Sequence, residues 1–397
     1  MSDVEQAYRY LRPSTVDDRG TVLSTSGGPE PNPYFYDGLV EHAEPVAAAL
    51  LAVARIARTR FYTPPNMVAA AIRAADPVVT ADAAGHLRFE ALSACCGVYG
   101  RLDLLPEALE SAPRACGTTN VDVNAPMREA LAGIGGLDPM RLAVGADELR
   151  LSTLDGDVVE RRVPLPERWV RSLAEVHVLA RAMEPGARYP AAAVRRFLQA
   201  QPRGPQHGTL FAAPSPGGPR LSTRPVPGAV GIAGLDRLRV VEPLLRRASG
   251  VRTFGLGTAS AWVLDLPGAR FTAMLSPAPS RAFSGEGGIL DGGDPTGGDL
   301  AGGTGFDLAD GVAFERVLPL DALVDAGEQP RMRDARALVA AGAVHPSADG
   351  AVVHSGGTPY TVRATDGGER CTCQWFAQHG LGRGPCKHIL AVRLSHP

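Results

Sequence analysis

Cys371-Thr372-Cys373, then twelve residues, then Cys386-Lys387-His388: this stretch decides the fold of the chain around it. Three of the six cysteines fall within its first sixteen residues. Residues 360–365 and 370–373 flank Asp366-Gly367-Gly368 and read as a hairpin. Side chains alternate along a strand, so Cys371 and Cys373 share one face. Gly384-Pro385 then introduces a helix whose first turn carries Cys386 and His388. Two ligands from a hairpin and two from a helix start surround one ion tetrahedrally, and three thiolates with one imidazole suit zinc. Four protein ligands leave no open coordination position, which predicts one structural zinc holding a module too small to fold on a core alone. Cys371 and Cys373 are too close for an unstrained disulfide in extended chain. His379 and His396 are competing nitrogen ligands. Lys387 and Arg383 are placed to offset the negative charge of three thiolates on one divalent ion.

Working outward, 397 residues exceed one ordinary domain core. The 40 basic residues comprise 39 arginines and a single lysine, Lys387. This excludes a Walker A loop, which needs Gly-Lys-Ser/Thr. A Schiff-base or cofactor-anchoring lysine would have to be Lys387 itself. A net charge of −2 gives no global pull toward nucleic acid or anionic membrane. No export signal is readable, and the apolar run 46–54 is too short to span a bilayer. The expected location is cytoplasmic, with reduced thiols.

Residues 284–330 hold ten acidic side chains and one arginine. Gly-Gly pairs recur there at 287, 292, 297 and 302, which reads as an acidic glycine-rich linker. Residues 331–397 hold eight basic and four acidic side chains, a net of +4. A second break is expected at 202–219, dense in proline and glycine. The chain therefore divides into an N-terminal α+β domain (1–201), a Pro/Gly loop (202–219), an α+β subdomain (220–283), the linker (284–330) and a C-terminal region (331–397) whose ββα-like zinc module spans about 358–395. Helices are expected at 45–62, 126–134, 166–183 and 235–248, the clearest being 166–183 with its stripe of Trp169, Leu173, Val176, Leu179 and Met183. Strands are expected at 77–92, 142–164 and 260–275, the last two turning at Asp155-Gly156-Asp157 and Pro267-Gly268. Clusters of helices and strands without strict alternation favour α+β.

Other candidates have ordinary readings. Cys95-Cys96 and Cys116 lie among apolar neighbours and read as core thiols. The run 117–124, with Asp122 as a conceivable base, reads as a hydrogen-bonded turn capping the next helix. Gly255-Leu256-Gly257-Thr258 lacks the third glycine of a dinucleotide loop and precedes a strand. No nucleophile elbow or His-Glu-x-x-His appears, so no catalytic residue is assigned and the chain reads as non-enzymatic. An enzyme with its site in 1–283 is the alternative.

The Cys-x-Cys…Cys-x-His spacing resembles the SWIM-type zinc finger, whose four ligand positions fall on Cys371, Cys373, Cys386 and His388. More widely, the chain is similar to actinobacterial SWIM zinc-finger proteins of unassigned activity, through Thr25-Ser26-Gly27-Gly28, the segments around Cys95-Cys96 and 117–127, and 283–288. The finger resemblance implies a protein-interaction or DNA-binding module. The wider one implies an adaptor in a MoxR-type AAA+ ATPase and von Willebrand A-domain system. A protein partner is favoured over DNA, because the module's +4 is modest and the acidic linker competes with phosphates. Trp375 and Phe376 are candidate anchors for that partner or part of the module's core.

Overall fold

The computed structural model describes residues 15–17, 20–22, 34–61, 77–81, 85–115, 117–163, 183–204, 210–232, 234–276, 330–347, 350–365, 368–380 and 385–395, with isolated positions including Leu165, Trp169, Leu173 and Phe283. It shows helices with antiparallel sheets, the expected α+β class. No described helix is long and apolar enough to cross a membrane. The linker 284–329 lies outside the described residues, as does Cys116.

The Ala43–Arg58 helix forms because alanine and leucine dominate it. It buries Val46, Leu50, Val53 and Ile56 at the spacing of one face. That face packs against the central strands Leu87–Leu92 and Val98–Leu104 of an eight-stranded antiparallel sheet. Gly100 permits the close approach, since a methyl there would overlap Ile56 Cδ1. Val78–Ala81 pairs with Leu87–Leu92, and Ala259–Leu266 with Ala269–Leu275, as the two hairpin readings expected. A second, four-stranded sheet joins Arg141–Gly145, Glu148–Thr153 and Gly156–Arg161 to Tyr34–Leu39. Trp169, Leu173, Val176 and Met183 are buried, as the stripe predicts.

Several expectations need revision. Residues 202–219 contain strands, since Leu210–Ser215 pairs with Gly218–Ser222 and with Val230–Ile232. Gly218, at φ 125°, turns the chain between them, and Pro214 and Pro219 face each other across the two-strand register. Sequence on both sides of this stretch shares one sheet and one core: Glu184–Pro190 pairs with Gly250–Leu256, and Val98–Leu104 with Ala269–Leu275. Buried residues from Phe35 to Phe283 form a single cluster. The helix expected at 235–248 is one α-turn, Leu235–Leu238, continued as the 3-10 segment Arg239–Leu244. Pro243 lies inside it, where a proline removes an amide donor and crowds the preceding turn.

The middle of the large sheet carries charge. Arg88, Glu90, Arg101 and Asp103 are all buried. Asp103 accepts hydrogen bonds from Arg88 Nε at 2.7 Å and Arg101 Nε at 2.6 Å. Tyr99 donates its hydroxyl to Glu90 at 2.6 Å. Burial alone would raise the Asp103 carboxyl, but Arg101 and Arg88 outweigh it and hold the group below its usual range. Burial, with Glu90 alongside, pushes Tyr99 well above the ordinary phenol.

The C-terminal region has separate cores. Val344–Ser347, Gly350–Ser355, Thr358–Thr365 and Gly368–Cys371 form an antiparallel meander. The Lys387–Ser395 helix packs on this sheet and on the Pro330–Ala340 helix, burying Ala335, Leu390 and Ala391. Val353, Val362, Ile389 and the three cysteines form the neighbouring cluster.

Candidate metal centre

Cys371 is the last residue of its strand and stands opposite Val362 in register, facing the interior. The hairpin extends one step further, where Thr372 N–H donates to Thr361 O and Thr361 N–H to Thr372 Oγ1. Cys373 then leaves the sheet and caps the Gln374–His379 helix, its Sγ accepting the Phe376 amide at 3.4 Å. The Cys-x-Cys pair is thus a strand end plus a helix cap, and not two strand residues. Gly380, at φ 55°, ends that short helix with its amide on Phe376 O. Pro385 and Cys386 begin the next one, with Leu390 N–H donating to Cys386 O at 3.0 Å. His388 follows in its first turn.

The ligand atoms of Cys371, Cys373, Cys386 and His388 all lie within 4.8 Å of one another, and all four residues are buried. His388 Nδ1 is 3.7 Å from Cys371 Sγ. That separation suits two atoms sharing one tetrahedral ion at about 2.0–2.3 Å. Each sulfur also receives a backbone amide: Cys371 from Cys373, Cys373 from Phe376 and Cys386 from Ile389. Such amides stabilise thiolates, the metal-binding form. The Cys371 thiol donates to the Cys386 sulfur, which pulls the Cys386 thiol down to about 4 and pushes that of Cys371 up. Burial pushes Cys373 up. Three buried thiolates repel one another, and a divalent cation at their centre removes that repulsion. Donor set, spacing and burial fit zinc.

Surrounding groups fix the ligands. The Tyr360 ring stacks on the His388 imidazole, centroids 4.2 Å apart. Arg331 donates to Pro385 O at 2.7 Å while its guanidinium lies 4.6 Å from the centroid of the Trp375 ring. Local sequence does not signal either contact, because Tyr360 lies 28 residues from His388, and Arg331 lies 44 from Trp375 and 54 from Pro385. Lys387 Nζ lies 3.8 Å from an Asp334 carboxylate oxygen, so its charge serves the contact with the Pro330–Ala340 helix. Arg383, His396 and the side chain of His379 lie outside the described residues. Trp375 and Phe376 are half-buried and pack on the module's core.

The lesser candidates that are described sit in ordinary elements of the fold. Cys96 is buried at a positive φ of 52° and Cys95 is half-buried, close to Ser93. Gly117–Asn120 is an edge strand of the large sheet. Asn124 precedes the Ala125–Gly133 helix without capping it, because its side chain donates to Glu160 at 2.9 Å. Gly257-Thr258 is the turn of a hairpin, with no helix after it.

The family model of the SWIM zinc finger matches residues 360–395. No curated protein matches the chain. Among solved structures, the chain is similar to one titled as the PCNA2–PCNA3 complex from Sulfolobus tokodaii, at 11% identity and a TM-score of 0.44, covering 62% of this chain and 100% of that one.

Proposed function

We propose, for a chain whose residues 360–395 are a SWIM zinc finger, that it is a non-enzymatic binding protein whose finger carries recognition of a protein partner. One zinc held by Cys371, Cys373, Cys386 and His388 would supply the fold of the module and no chemistry. The observation that carries this reading is the cluster of four buried candidate ligands within 4.8 Å of one another, a set that would complete the tetrahedron of a bound zinc and leave it no position for substrate. The chain's own residues do the rest. Tyr360 orients His388, and Arg331 ties the Cys386 segment to Trp375. A protein partner is favoured over DNA by the net charge of −2 on the chain. A MoxR-type AAA+ ATPase is the named candidate.

The test is affinity purification of wild type and Cys386→Ser, with and without nuclease. The reading expects proteins that co-purify with wild type after nuclease treatment and are lost from Cys386→Ser. Retention by Cys386→Ser, or complete loss on nuclease treatment, contradicts it.

A further inference from the structure

Two histidines stand together on the finger's sheet, on the face turned away from the cysteines. Val344 and Val353 face each other in register and pack into the core that holds those cysteines. His345 and His354 each follow one of them along its strand, so alternation turns both to the opposite face. Both are exposed. His345 lies opposite Val352 and His354 opposite Pro359, while the His354 amide donates to Ala343 O at 2.9 Å. The two imidazoles are therefore diagonal neighbours on adjacent strands. Their ring centroids are 5.2 Å apart, with planes 76° from parallel. The backbone ladder between the strands sets which residues are neighbours, so the pair is held ready by the sheet.

We propose that His345 and His354 form a second metal site, for a divalent transition ion such as Zn²⁺ or Ni²⁺. Imidazole suits these ions. Two imidazole nitrogens at about 2.0–2.1 Å from one tetrahedral ion put their ring centres about 5 Å apart, and this pair already has that spacing. Rotation of each exposed ring about its own bond aims a nitrogen at the point between them. Protonated, the two rings would repel across the strands. Neutral, they offer two lone pairs to one cation. The register surrounds them with Val352, Pro359 and Thr361, none of which is charged. Arg363 and Arg370 stand on the same face, but Arg363 is opposite Gly350, four residues or about 13 Å along the strand from His354. At that distance salt screens most of their repulsion. Two protein ligands leave the ion about two open positions, for water or for a donor on another molecule. Two ligands also hold an ion more loosely than four, so desalting empties this site while the structural zinc stays.

The experiment titrates desalted, zinc-loaded full-length protein with Ni²⁺ by calorimetry and follows the amides of 343–347 and 352–356 by NMR. One Ni²⁺ per chain should bind without releasing zinc, and its unpaired electrons should broaden those amide signals first. His345→Gln and His354→Gln should each weaken this binding about tenfold or more, and both should keep the wild-type zinc content. His42→Asn removes an exposed histidine before the first long helix, at a φ of 54° that asparagine accepts, and should leave Ni²⁺ binding unchanged. Absence of Ni²⁺ binding, unchanged affinity in His345→Gln or His354→Gln, or an equal loss in His42→Asn each overturns the proposal. Release of zinc in step with Ni²⁺ uptake, with no binding beyond that exchange, overturns it as well.

Discussion

Tyr360 lies flat on the imidazole of His388, with ring centroids 4.2 Å apart and planes 20° from parallel. The two residues are 28 positions apart, and their contact couples the meander to the first turn of the last helix. It fixes the ring plane of the one nitrogen ligand that the cluster has among the described residues. Tyr360→Ala should therefore lower zinc affinity by about tenfold or more, the usual effect of removing a group that orients a ligand. Tyr360→Phe keeps the ring and should retain wild-type affinity. Competition with a chromogenic chelator measures both.

Arg331 joins two parts of the module, through its hydrogen bond to Pro385 O and its stacking over Trp375. Arg331→Ala removes both contacts at once. The module should lose about 1–3 kcal/mol, one charged hydrogen bond and one cation–π contact. Arg331→Lys keeps the charge without the flat guanidinium and should recover only part of the loss. The unfolding midpoint in urea, followed through module-specific amide signals by NMR, distinguishes the three proteins.

Zinc removal should act locally. The finger's cores are separate from the cluster that runs from Phe35 to Phe283. A chelator should expose amides of 344–395 to hydrogen exchange while those of the eight-stranded sheet stay protected. Loss of protection in both regions together would mean that the body depends on the metal.

Asp103 predicts the acid response of the body. Its carboxyl is lower in the folded protein than in the unfolded chain, on balance because of Arg101 and Arg88. A depressed carboxyl stabilises the fold above its unfolded value, near 4, and that contribution is lost as pH falls through the folded value. Stability of the body should thus fall as pH drops below about 4. Asp103→Ala leaves two buried arginines without their shared carboxylate and should cost about 3–5 kcal/mol at neutral pH. Denaturant midpoints across pH test both, and the variant should show a shallower acid slope than wild type.

The finger was legible because its ligands are close in sequence and their chemistry is specific. The ligand atoms of Cys371, Cys373, Cys386 and His388 cluster, although Cys373 sits on a helix cap and not on the strand that the alternation predicted. The hairpins over 78–92 and 259–275 were equally plain, each being two apolar runs around a short turn. The joining of those hairpins was not legible. Pairing of Val98–Leu104 with Ala269–Leu275 is set by tertiary packing across more than 160 residues, and no local signal marks it. Arg88, Glu90, Arg101 and Asp103 also break the usual pattern of a buried strand: Arg88 bonds Asp103 across the register, Arg101 bonds it along the same strand and Tyr99 bonds Glu90. Pro214 and Pro219 suggested a loop, yet their strands pair in register.

The measurement closest to the central claim is the metal content of protein purified without a histidine tag. Elemental analysis should find one zinc per chain in wild type, and Cys373→Ser should lose it. Substoichiometric zinc in wild type that Cys373→Ser leaves unchanged would contradict the account.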